Sequence, residues 1–101
     1  MVEPLNLFDR SFSDLERAMQ VATQKHAVIA HNIANAKTPG YQPMTFDEEL
    51  MRAVKRQDQK QVVLEDEMAA LTQNSIKYSA CIKLMASKIT VLRTIATQGR
   101  K

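Results

Sequence analysis

Residues 5 to 38 and residues 44 to 98 of this 101-residue chain contain neither glycine nor proline. The only glycines are Gly40 and Gly99, and the only prolines are Pro4, Pro39 and Pro43. Glycine and proline are the strongest local interrupters of regular backbone, so the chain has room for two long uninterrupted elements with one place to turn between them. The expected fold is all-α: two long antiparallel amphipathic helices, coiled-coil-like, joined by a turn, a short helix and a polar loop. At this length a single domain, 1–101, is the upper bound, and it buries only a modest fraction of its surface. Aromatic residues make up 5% of the chain and tryptophan is absent, which excludes a large aromatic core.

The first long helix is expected over 13–36. Ser13 and Glu16 have the spacing of a capping box, Asp14 adds favourable charge to the first turn, and Phe12 can staple the entry. Leu15, Met19, Ala22, His26, Ile29 and Ile33 then alternate steps of four and three, the seam of a packed helix. Upstream, Leu5, Leu7, Phe8 and Phe12 form an apolar segment too short to be stable alone. It is expected to be mobile in an isolated subunit and to order on assembly.

The second long helix is expected over 62–98. Leu64, Met68, Leu71, Ser75, Tyr78, Ile82, Met85, Ile89, Leu92 and Ala96 keep the four-three rhythm over more than four heptads, which is a coiled-coil seam. Cys81, Leu84, Val91 and Ile95 widen the apolar surface beyond that seam, so this helix is expected to meet more than one partner. Gly99 is placed to close it as a C-terminal cap. At about 1.5 Å per residue the two helices would span roughly 36 and 50 Å, and the longer one cannot bury its seam fully against the shorter.

Between the helices, 37–45 reads as a turn and 46–61 as a short helix and polar joint. Thr45 and Glu48 repeat the capping pattern, and Phe46, Leu50 and Val54 mark one helical face. Residues 55–61 are polar and unpatterned, and read as a solvent-exposed joint. Asp47, Glu48 and Glu49, like Glu65, Asp66 and Glu67, read as acidic helix starts.

The turn carries the most specific motif. Residues 32–41 read Asn-Ile-Ala-Asn-Ala-Lys-Thr-Pro-Gly-Tyr. Pro39 fixes φ at the first central position, Gly40 supplies the positive φ of a type II turn, and Thr38 is pushed out of the α region by the proline that follows. The decapeptide resembles the N-terminal signature of the flagellar basal-body rod and hook family, an Asn-Ile-Ala-Asn followed closely by Thr-Pro-Gly-Tyr. Asn32, Ile33, Asn35, Thr38, Pro39, Gly40 and Tyr41 carry the match, while His31 and Lys37 depart from the usual pattern. Glu67-Met68, Leu71, Asn74 and Tyr78 look like the family's C-terminal block. The matches extend over roughly 13–41 and 65–98, and the shortness of the chain favours the proximal rod members.

The resemblance implies a non-enzymatic structural subunit. The paired terminal helices would line the inner layer of a tubular rod that transmits torque. Leu15, Met19, Ile29, Met68, Leu71, Asn74, Tyr78, Ile82, Met85, Ile89 and Leu92 would serve as the seam and assembly interface. Implied partners are other flagellar rod proteins, the basal-body ring or adaptor at the rod base, and the flagellar type III export apparatus, in a homo- and hetero-oligomer located in the basal body. Export would proceed without a cleaved signal peptide; the N-terminus lacks the basic and then apolar stretches of one. The middle segment is shorter than is usual in the family.

Other function classes find little support. His26 and His31 are five apart and miss the four-residue spacing that puts two imidazoles on one helix face, and no Cys or Asp/Glu cluster completes a metal set. No glycine-rich phosphate loop exists, Ser75 and Ser79 lack a base, and no cofactor is expected. Cys81, the single cysteine, cannot form an internal disulfide and reads as a small buried hydrophobe. The net charge of +3 permits weak anion attraction, but the basic residues are spread around the second helix without aromatic neighbours, so nucleic acid is not an expected partner. No run approaches the ~18 apolar residues of a membrane span. The alternative reading is a helical adaptor or chaperone-bound protein that pairs with a heterologous amphipathic helix.

Overall fold

The computed structural model describes residues 4–99, with side chains from residue 9 onward. Its elements are α1 (Pro4–Ala34), β1 (Met44–Asp47), β2 (Arg52–Lys55) and α2 (Leu64–Gln98). The two long helices are antiparallel, since the C-terminal end of α1 meets the start of α2 at Asn32 and Glu67 while Asn74 reaches back to Ala22. The molecule is a rod of 66 × 25 × 14 Å.

α1 begins nine residues earlier than the capping box suggested. Pro4 stands at its first position, where a missing N–H costs nothing, and Ser13 and Glu16 are exposed residues of the helix interior. The physical reason is that the four-three spacing of Leu15 and Met19 continues upstream through Phe12, Phe8 and Leu5. The apolar N-terminal segment is thus the first turns of α1, while Met1–Glu3 lie outside the described residues. Downstream the α1 seam holds: Ala22 and Ile29 are buried, and Leu15, Met19 and Ile33 are half-buried, whereas His26 is exposed.

At 31 and 35 residues the helices measure about 46 and 52 Å, so they are close to equal. Surplus apolar surface arises from the circumference of α2, not from its length. The side of α2 that faces α1 carries Glu67, Leu71, Asn74, Cys81, Met85 and Leu92, all buried or half-buried. Among the expected seam residues, Leu64, Met68, Tyr78, Ile82 and Ile89 are exposed. The packed side is therefore turned away from the centre of the expected seam, towards the buried polar residues Glu67 and Asn74.

Val63, extended, precedes α2, and Glu65, Asp66 and Glu67 occupy its first turn. Gly99 follows Gln98 with φ −68°, in the right-handed helical region, and its N–H donates to Ile95 O at 3.0 Å. It caps α2 as expected, in the right-handed helical conformation.

A β-hairpin replaces the short helix expected after the turn. β1 and β2 pair antiparallel in the register Met44↔Lys55, Thr45↔Val54, Phe46↔Ala53 and Asp47↔Arg52. Period two wins over the helical reading because it turns Phe46 inward, where it is buried with Ala22 and Ile29. Asp47 is a turn former here: its Oδ1 accepts the N–H of Glu49 (2.9 Å) and of Leu50 (3.0 Å), the local bonding by which Asp favours turns. Met51 closes the loop at φ 53°. At the tip, Lys25 Nζ of α1 meets Glu48 Oε1 at 2.7 Å, a hydrogen-bonded pairing that lowers the Glu48 pKa from its ordinary value.

The expected turn is present. Gly40 has φ 76°, and the Tyr41 N–H donates to Thr38 O at 3.2 Å, which is the bond of a type II turn around Pro39 and Gly40.

Candidate functional site: a buried polar lock beside a bare helix face

Asn32 is completely buried and lies where α1, β1 and the start of α2 meet. Its side-chain amide donates to Met44 O (2.8 Å) and to Glu67 Oε2 (3.1 Å), and its Oδ1 accepts from Tyr41 OH (2.6 Å) and Met44 N (2.9 Å). A carboxamide offers two donors and two acceptor lone pairs, and all four are used. The pair of bonds to Met44 imitates a neighbouring strand, so the outer edge of β1 is satisfied by a helix side chain.

Glu67 is 1% exposed. Its Oε1 lies 2.6 Å from Arg56 Nη1, just beyond β2. Arg56 is held in turn by Gln59 Oε1 (2.9 Å to Nη1), by Pro43 O (2.9 Å to its N–H) and by Gln42 Nε2, which donates to its carbonyl at 2.8 Å. A buried carboxylate is tolerated only when paired and hydrogen-bonded, and here a guanidinium and an amide supply both. Burial raises the Tyr41 hydroxyl above its ordinary pKa, the Glu67 charge adds to that effect, and Arg56 partly offsets it. The Tyr41 ring also meets His31 edge-on, with centroids 5.5 Å apart.

Asn35 has a local role. Its side chain donates to His31 O at 2.9 Å and accepts from Thr38 Oγ1 at 3.1 Å, which closes the end of α1. Farther along, Asn74 is 6% exposed and donates to Ala22 O at 2.6 Å; the small Ala22 side chain lets the two helices approach closely there. Among the described residues no buried side-chain polar atom lacks a partner, and no cluster of His, Cys, Asp and Glu could hold a metal ion. No described helix is long and apolar enough to cross a membrane.

Sequence reasoning located Asn32, Asn35, Thr38, Pro39, Gly40, Tyr41 and Asn74 but missed Arg56, Gln42 and the inward role of Glu67. The available signal for Glu67 was its place on one helical stripe with Leu71 and Asn74, where a charge requires a partner. Residues 55–61, expected to be a solvent-exposed joint, supply that partner. Cys81, expected to be buried, is half-buried.

The remaining apolar residues of α2 point outward. Met68, Tyr78, Ile82 and Ile89 on one side, and Leu84, Val91 and Ile95 on another, are all exposed. From the expected interface set, Leu71, Met85 and Leu92 lie half-buried between these two outward groups.

Residues 15–42, which carry Asn32, Asn35 and the turn, match the family described as flagella basal body rod protein. The chain is similar to the flagellar rod proteins. It is 29% identical to flagellar basal body rod protein FlgB of Bacillus subtilis (strain 168) over 129 residues, an alignment that takes in 95% of this chain and all of that relative. The alignment is longer than the 101 residues here, so FlgB has residues with no counterpart in this chain. The rod proteins are a structural family, not an enzyme family, and the similarity points to the flagellar basal body.

Proposed function

We propose that this chain is a structural subunit of the flagellar basal-body rod, at its proximal end, and that it assembles through the outward faces of α2 into the shaft that transmits torque. The observation that supports this reading best is a division of labour on α2. One side is locked to the rest of the subunit by Glu67 and Asn74, while nine large apolar side chains of the same helix stand exposed, eight of them flanking that lock and the ninth, Ile76, on the opposite face. Exposed apolar surface on this scale marks a site of association, and a heterologous contact repeated along an axis builds an open tube. Asn32, Tyr41, Arg56 and Glu67 would make the subunit rigid enough to carry load, by fixing turn, hairpin and both helices at one point. Partners in this reading are the other rod proteins, the ring or adaptor at the rod base, and the type III export apparatus that delivers the chain.

The test is mass spectrometry of purified basal bodies, with a strain deleted for this chain alongside. Peptides of the chain in the wild-type particles, and no rod in the deletion strain, are expected. Absence from the particles together with normal motility in the deletion would replace this reading with that of a helical adaptor.

A further inference from the structure

The two edges of the β-hairpin are unlike. Along β1, Asn32 of α1 bonds both backbone groups of Met44. Along β2, the bonding pattern follows from Arg56, whose N–H donates to Pro43 O at 2.9 Å. Pro43 has no N–H to return, and Gln42 Nε2 supplies the missing donor to Arg56 O at 2.8 Å. Directly opposite residues of an antiparallel pair alternate between exchanging both backbone bonds and exchanging neither. With Pro43 opposite Arg56, the register makes Thr45↔Val54 and Asp47↔Arg52 the bonded pairs. Met44, Ala53 and Lys55 then turn their N–H and C=O groups away from the hairpin, as the bonds from Asn32 to Met44 require. Ala53 and Lys55 are exposed, and no hydrogen bond among the described residues reaches their outward backbone groups.

Four free backbone groups at a strand edge are a template for one more strand. Charge decides which strand. Arg52 and Lys55 are exposed, and neither takes part in the ion pairs of the described residues, Lys25 with Glu48 and Arg56 with Glu67. The β2 edge of a second copy would set these cations against the same cations with no acid between them, and like charges facing each other across strands repel. Nor does the chain offer an acidic strand of its own. Asp47, Glu48 and Glu49 belong to the end of β1 and its turn, and Glu65, Asp66 and Glu67 to the first turn of α2.

We infer that the free edge of β2 docks an extended acidic segment of another protein as a third strand. This surface is separate from the α2 faces that the assembly reading uses. Successive side chains of a strand point to opposite faces, so Arg52 and Lys55, three positions apart, lie on opposite faces of the sheet. In either chain direction the incoming strand needs acidic residues three positions apart, one beside Arg52 and one beside Lys55. Backbone bonds at Ala53 and Lys55 supply the attraction common to any strand, and the two acids supply the choice.

The test uses the purified 101-residue chain, labelled with 15N, and amide hydrogen exchange followed by NMR. In the free chain the Ala53 and Lys55 amides are expected to exchange rapidly, while those of Val54 and Arg56, which donate into the hairpin, are protected. The probe is the peptide acetyl-Thr-Val-Glu-Val-Thr-Glu-Val-Thr-amide, with a control in which lysine replaces both glutamates. The acidic peptide is expected to slow exchange at Ala53 and Lys55, and the lysine control to bind about tenfold more weakly or worse. Ala53→Pro removes an outward donor without breaking a ladder bond. It should abolish the protection of Lys55 by the peptide, while protection of Val54 and Arg56 shows the hairpin still folded. Arg52→Glu combined with Lys55→Glu should invert the preference between the two peptides. Equal binding of the two peptides, no protection by the acidic peptide, or Ala53 and Lys55 amides already protected in the dilute free chain would each overturn the inference. Protection that appears only as the free chain is concentrated would make a second copy the occupant and overturn it as well.

Discussion

Asn32 and Asn35 are the same residue type three positions apart, yet they differ in what their loss exposes. Removing the Asn32 side chain, which has no exposed surface, deprives the buried Glu67 and the half-buried Met44 and Tyr41 of partners, and each buried group left unsatisfied costs about 1–3 kcal/mol. Asn35 bonds only within its own turn, in contact with solvent. We expect Asn32→Ala to destabilise the chain by about 3 kcal/mol or more and Asn35→Ala by about 1 kcal/mol or less. Urea denaturation separates them through the midpoint; equal losses would mean that Asn32 is not the residue on which the elements converge. Tyr41 adds a pH dependence of definite sign. Its folded-state pKa is raised above 10.0, so its contribution to stability is fully present below that value and is lost as pH rises through the folded pKa. Absorbance at 295 nm in a Tyr78→Phe background should show Tyr41 titrating above the ordinary tyrosine value, and Tyr41→Phe should remove this part of the alkaline loss of stability.

At the level of elements, the hairpin is held by what lies beyond it. Arg56 follows β2 and reaches the buried Glu67 carboxylate of α2, so Arg56→Ala should leave a charge buried without its counter-ion, at a cost of about 3–5 kcal/mol. The double variant Arg56→Met/Glu67→Met should recover part of this loss by removing both charges. Recovery stays incomplete because Asn32 Nδ2 also loses Glu67 Oε2. Thermal denaturation of the single and double variants checks both statements, and a double variant less stable than Arg56→Ala would show that the pair contributes more than mutual neutralisation. The same elements show what could be read from sequence. α1, α2 and the turn at Pro39 and Gly40 were legible because long four-three periodicity and a Pro-Gly pair are local signals. The hairpin was not, because Thr45 and Glu48 satisfy a helix-start pattern locally and only the burial of Phe46 against the helices favours strand. Arg56 was hidden for a related reason: its partner lies 11 residues downstream on another element, and a lone arginine in a polar stretch carries no sign of pairing. The outward turn of the α2 seam has the same origin, since Glu67 and Asn74 look polar in sequence and become inward residues only once Asn32, Arg56 and the Ala22 carbonyl are present.

As a whole the molecule is extended and thinly cored. Its radius of gyration is 18.6 Å, against about 13 Å for a compact chain of this length, and its buried apolar side chains are few while those exposed on α2 are many. Stability of the single subunit and capacity to assemble should therefore reside in different residues of the same helix. Asn74, 6% exposed and bonded to Ala22 O, belongs to the first group, and Ile82, 46% exposed, to the second. Asn74→Ala removes a donor from a close helix contact and leaves the subunit weaker by about 1 kcal/mol. Ile82→Ser replaces an exposed side chain and should change the stability of the isolated chain by no more than about 0.5 kcal/mol. In cells the order should reverse. Ile82→Ser should deplete the chain from purified basal bodies and reduce swimming in soft agar, because an apolar contact with a neighbour is lost, whereas Asn74→Ala should still be incorporated wherever neighbours restore the stability it lacks. If Ile82→Ser cells swim normally and Asn74→Ala cells do not, assembly depends on the internal packing of the subunit, and the exposed face of α2 is not where rod subunits meet.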